Sequence, residues 1–66
     1  MKRSCDAINI YWDSSKGKFV VRLFLSDGFY RFSVSASSYA EALAKTERWL
    51  TIKGYAMCES SEEIRV

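Results

Sequence analysis

Apolar and polar residues alternate across residues 7–13, seating Ile8, Ile10 and Trp12 on one face and Asn9 and Tyr11 on the other. A period of two is that of a half-buried strand. Ser14-Ser15-Lys16-Gly17 follows, polar and ending in glycine as suits a turn. Residues 18–25 then read as a second strand, rich in β-branched and aromatic side chains. Asp27-Gly28 separates that run from the next, and a two-residue type I′ turn, with positive φ at both central positions, tolerates this pair. Counting outward from such a turn sets Leu25 opposite Tyr30, Leu23 opposite Phe32, Val21 opposite Val34 and Phe19 opposite Ala36. That face is continuously apolar and belongs to the core. The opposite face then carries Phe24 beside Arg31, Arg22 beside Ser33 and Val20 beside Ser35.

Beyond Ser38 the period changes. Ser38 and Glu41 have capping-box spacing, and Tyr39, Ala42, Leu43, Thr46, Trp49 and Leu50 recur at steps of three and four. The spacing predicts a helix over residues 39–53 that lays this stripe on the sheet, with Gly54 as the residue that ends it. Residues 55–59 are expected to form a short last strand, and residues 1–6 and 60–66 to be frayed ends. The predicted fold is α+β, a three-stranded antiparallel sheet packed on one helix with a short fourth strand, in the order β-β-β-α-β. Sixty-six residues allow one domain, 1–66, because a chain this short buries only about 60% of its unfolded surface.

Composition adds limits. A hydrophobic fraction of 48% with 15% aromatic residues excludes a disordered chain. No apolar run approaches the roughly 18 residues of a membrane span, so no membrane partner is expected. Cys5 and Cys58 form no CxxC pattern, and the chain has no histidine, which removes the usual zinc sites. With no signal peptide ahead of them, two free thiols in a reducing cytoplasm are expected; a terminal staple would require the two end strands to be neighbours. Ten basic and eight acidic residues give a net charge of +2, weaker than phosphate-gripping proteins carry. Lys2, Arg3, Lys16, Lys18, Arg22 and Arg31 lie in the first half, whereas Glu59, Glu62 and Glu63 gather in the tail. The tail acids read most simply as a solubilising end.

Catalytic chemistry finds no support in this pattern. Without histidine, acid–base work would fall to carboxylates or lysine, and the carboxylates are scattered singly. Neither cysteine has a base or oxyanion site in view. Gly17, Gly28 and Gly54 are each accounted for by turns or a helix end, so no phosphate-cradling loop remains, and no cofactor is expected. Trp49 falls on the apolar stripe of the helix and is read as core. What is left is the outer sheet face. Tyr11, Lys18, Arg22, Phe24 and Arg31, with Val20, should stand partly exposed there, and aromatic side chains interleaved with arginines are what interaction hot spots use. The competing reading is a solvated sheet face with ordinary cross-strand pairs.

From Lys18 onward the chain resembles the small inhibitors with which T-odd coliphages shut off host RNA polymerase by binding its β′ jaw. The resemblance rests on Lys18-Phe19 at a strand start, a short hairpin, a second strand ending in Ala36, a helix opening with Glu41-Ala42-Leu43, then Glu47, Trp49 and Gly54-Tyr55. It covers about two thirds of the chain and implies a non-enzymatic inhibitor of a host protein complex, RNA polymerase first. Two departures stand out. Met57-Cys58-Glu59 occupies the stretch where that family carries its gripping arginines, and residues 7–13 have no counterpart there. A shared function would therefore move the contact, onto Arg22 and Arg31. Residues 9–55 are also similar to Apetala-type and integrase arm-binding DNA modules, through Tyr11-Trp12-Asp13, Gly17-Lys18-Phe19 and Ala40-Glu41-Ala42. That resemblance implies a sheet laid in the major groove, but Val20 and Phe24 sit where charge is wanted and Ser33 replaces the usual glycine. Lys16, Lys18, Arg22 and Arg31 would remain for phosphates. HicB-type antitoxins share the order of elements only. The pattern leaves open whether the chain is a monomer or a homodimer.

Overall fold

The computed structural model describes residues 3–64. Its elements are β1 (Cys5–Asp13), β2 (Lys18–Leu25), β3 (Gly28–Val34), α1 (Tyr39–Lys53) and β4 (Ser60–Ile64). The fold is α+β. One mixed sheet has the strand order β3-β2-β1-β4, in which β1, β2 and β3 are antiparallel and β4 runs parallel to β1. The helix lies on one face, over β1 and β2, and no helix among the described residues is long and apolar enough to cross a membrane.

Alternation sorts the faces as expected. Ile8, Ile10, Phe19, Val21, Leu23 and Leu25 point to the helix and form the core with Cys5, Ala42 and Leu50; Phe32, Val34, Leu43 and Trp49 close over it. Cys5 and Ile8 differ by an odd number of positions yet both are fully buried. A bulge between Cys5 and Ala7 absorbs the extra residue and turns both inward.

The hairpin register differs by two residues from the expected one. Leu25 pairs with Gly28, Leu23 with Tyr30, Val21 with Phe32 and Phe19 with Val34. Ser26 and Asp27 are thus the central turn residues, and among the described residues no residue other than glycine has positive φ. A type I′ turn would force Asp27 into that region. The structure avoids this and places the positive φ, 153°, on Gly28. Asp27 is also tied to the end of the helix, where the Tyr55 hydroxyl lies 2.9 Å from each of its carboxylate oxygens and donates to them.

The helix boundaries fall where predicted. The Ser38 hydroxyl accepts from the Glu41 amide at 3.2 Å, but the Glu41 carboxylate accepts from the Ser37 hydroxyl at 2.8 Å instead of completing the box. The helix ends with Gly54 at φ 85°. The Gly54 amide donates to Thr51 O and the Tyr55 amide to Leu50 O, the paired bonds of a Schellman ending. Thr46, buried on the inner face, donates its hydroxyl to Ala42 O at 2.9 Å, so burying it leaves no donor unmatched.

Two expectations about the ends are corrected. Residues 55–59 are not a strand; Tyr55 makes only an isolated bridge to Arg3. The last strand is Ser60–Ile64, and β1 begins at Cys5, so β4 and the first two residues of β1 lie inside stretches expected to fray; residues 1–2, Lys2 included, and 65–66 lie outside the described residues. The sequence of β4 has little strand character of its own, and its pairing with β1 makes it a strand. Its approach is held by the Glu59 amide, which donates to Cys5 O at 3.1 Å, and the Ala56 amide, which donates to Arg3 O at 2.9 Å. The expectation of two free thiols is also corrected: Cys5 and Cys58 are joined in a disulfide across 53 positions. The end strands are neighbours, which is the condition such a staple needs.

Candidate docking face

Because directly paired residues share a face, the register defines transverse rows on the side of the sheet away from the helix. One row reads Ser60, Ala7, Phe24, Phe29 from β4 to β3; the next reads Glu62, Asn9, Arg22, Arg31; the third reads Ile64, Tyr11, Val20, Ser33. Asp13 and Lys18 pair beyond the third row, next to the β1–β2 turn.

Four of the five expected site residues are gathered by this arrangement. Arg22 and Arg31 are directly opposed, whereas the expected register had separated them. Arg22 leans toward the third row, its guanidinium 5.5 Å from the centre of the Tyr11 ring, a cation–π contact. Phe24 stands in the adjacent row, 38% exposed. Lys18 is set apart, opposite Asp13 at the turn end. The Asp13 carboxyl is held below its ordinary value, first by the hydrogen bond from the Ser15 hydroxyl, and it also accepts from the Ser15 amide at 3.0 Å. Val20 is corrected as an exposed residue: it faces outward but is only 3% exposed.

The sequence reading missed Phe29. It pairs with Phe24, ring centres 5.1 Å apart, and is 55% exposed, more than Phe24. The signal was present in the polarity of Ser26. A turn centred on Ser26 and Asp27 takes Ser26 out of the position opposite Phe29 and brings the two phenylalanines into register.

Like charges directly opposite each other oppose folding by up to about 1 kcal/mol at surface dielectric. Neither arginine has a carboxylate within ion-pairing distance among the described residues, and the Nε of Arg22 is buried without a hydrogen-bond partner. A buried donor left unmatched costs about 1–3 kcal/mol. The face therefore combines two positive charges without an acidic partner and an exposed aromatic pair. Chemically it can hold an oxygen-bearing acceptor between apolar contacts.

On the helix side, Trp49 lies against Phe32, Tyr30 and Tyr55 at ring-centre distances of 5.9, 6.0 and 6.2 Å. Its ring is stacked on Tyr55 and contacted by Lys53, so its faces are already covered by the chain's own side chains. No family model, curated protein or solved structure matches the chain.

Proposed function

We propose that this domain is a non-enzymatic, phage-type inhibitor that docks its outer sheet face onto a protein complex of a bacterial host. RNA polymerase is the first complex to try, on the strength of the resemblance from Lys18 onward. The observation that carries the docking reading is the directly opposed Arg22–Arg31 pair, without an acidic partner and flanked by Phe24, Phe29 and Tyr11. Arginine and aromatic residues are the composition of interface hot spots. The strand that the polymerase-inhibitor resemblance leaves unmatched, β1, lies between β2 and β4, so the docking residues are taken from this chain's own geometry.

A protein partner is favoured over duplex DNA by β4. That strand adds Glu62 to the row of Arg22 and Arg31, and a carboxylate there repels a phosphate backbone while suiting a partner of mixed charge. With Lys18 opposite Asp13, few cations remain for phosphates. The test is a pull-down from nuclease-treated bacterial lysate at about physiological salt, where nonspecific phosphate contacts are weak. Wild type should retain RNA polymerase subunits, and the double variants Phe24→Ala with Phe29→Ala and Arg22→Glu with Arg31→Glu should each lose them. An empty eluate, with nucleic acid recovered from untreated lysate, would replace the inhibitor reading with a DNA-binding module.

A further inference from the structure

We infer that the outer sheet face is self-complementary and pairs with the same face of a second copy of this chain. The inference rests on the reading of that face as a protein-docking surface, and it concerns what covers the face when no other partner is present.

The order of side chains within each row makes the face complementary to its own reverse. A two-fold axis parallel to the strands, running between β1 and β2, lays β3 of one copy over β4 of the other and β2 over β1. Each row then meets its own reverse. In the first row Phe29 lies over Ser60 and Phe24 over Ala7, large side chains on small ones. In the second, Arg31 lies over Glu62, so a charge meets its opposite, and Arg22 lies over Asn9. In the third, Ser33 lies over Ile64 and Val20 over Tyr11. Reversal improves the first row in shape and the second in charge. An isologous contact requires this kind of self-complementarity, and aligned packing of two sheet faces is a standard geometry.

The size of the face sets the strength. Four strands about 4.8 Å apart and three rows about 6.8 Å apart give about 400 Å² per copy, or about 800 Å² in total. That is the range of weak, transient contacts. The pair should form at high protein concentration and give way to a partner that binds the face better.

Sedimentation equilibrium of the oxidised protein, from about 1 µM to about 1 mM, tests this. Wild type should pass from monomer to dimer. Arg31→Glu and Glu62→Arg should each weaken the association about tenfold or more, and the two together should restore it to within about threefold, since the swapped charges meet again across the axis. Wild type that stays monomeric throughout overturns the inference. So does association that ignores the single variants, or that the double variant fails to restore while its circular dichroism remains that of the folded protein. The same variants separate this inference from the docking reading: capture of a host complex, once lost in Arg31→Glu, is not restored by Glu62→Arg. Retained capture with no dimer overturns the inference alone, whereas loss of both overturns the face itself.

Discussion

Breaking the Cys5–Cys58 bond, by reduction or by Cys58→Ser, should take a large share of this domain's stability. The two residues are 53 positions apart. Cross-linking a loop of that length removes about 14 cal/mol/K from the unfolded chain in the loop-entropy account, or about 4 kcal/mol at room temperature. A chain of this size has about 3–10 kcal/mol in all. The substitution itself is mild, because Cys58 is only half-buried and Cys5, fully buried, stays as a small apolar thiol. Equilibrium urea unfolding followed by tryptophan fluorescence, with and without a dithiol reductant, measures the loss. The melting temperature should fall by about 15–30 °C, scaling from the usual shift per kcal/mol for a domain of this length. Reduced wild type and Cys58→Ser should agree, while Cys5→Ser should lose about 1–3 kcal/mol more by burying a hydroxyl among Ile8, Leu25 and their neighbours. Midpoints for the oxidised and reduced protein that agree within about 0.5 kcal/mol would refute the reasoning. They would mean that the backbone pairing of β1 and β4, rather than the bond, holds the end of the chain.

Leu23→Ala, at a fully buried position in the middle of the core, should cost about 2–5 kcal/mol in the same urea assay. Ser38→Ala removes the oxygen that accepts from the Glu41 amide and should cost about 1 kcal/mol, with the helical signal otherwise unchanged. Burial, and then the hydrogen bond to Asp27, raises the Tyr55 hydroxyl above its ordinary value of 10.0. The folded state therefore favours the protonated form, so this contribution is whole below pH 10 and is lost as pH rises through the folded value. Melting temperature should fall in that alkaline window for wild type, and Tyr55→Phe should be less stable at neutral pH with a smaller alkaline loss. Asp13 works in the opposite sense. Its lowered value gives a contribution present above the ordinary 3.8 and lost as pH falls below it, and Ser15→Ala should reduce that acid sensitivity.

Much of this architecture is legible along the chain because strand and helix periods are local properties. Alternation assigned Ile8, Ile10, Val21 and Leu23 to the core and Tyr11, Arg22, Phe24 and Arg31 to the outer face, as the structure has them. The three- and four-residue stripe, Ser38 and Gly54 marked a helix whose limits are those observed. The register could not be read the same way. A slip of two residues preserves every face, so alternation determines register only to within an even number of positions. The choice between registers was made by the φ that Asp27 would have had to adopt and by its bond to Tyr55, 28 positions away. That choice opposed Arg22 to Arg31 and brought Phe29 to Phe24, so the site residues were legible while their constellation was not.

The last strand shows the same division more sharply. Ser60–Ile64 is polar, mostly exposed and without alternation, and the apolar stretch before it was the better strand by composition. Tertiary structure reversed this because β1 offered a free edge, and the disulfide and the Glu59 and Ala56 amides deliver the chain to it two residues after Cys58. Side-chain pattern determined which residues face water or core. Only the assembled sheet decided which residues stand side by side, because backbone pairing and loop closure act between positions that no local period connects.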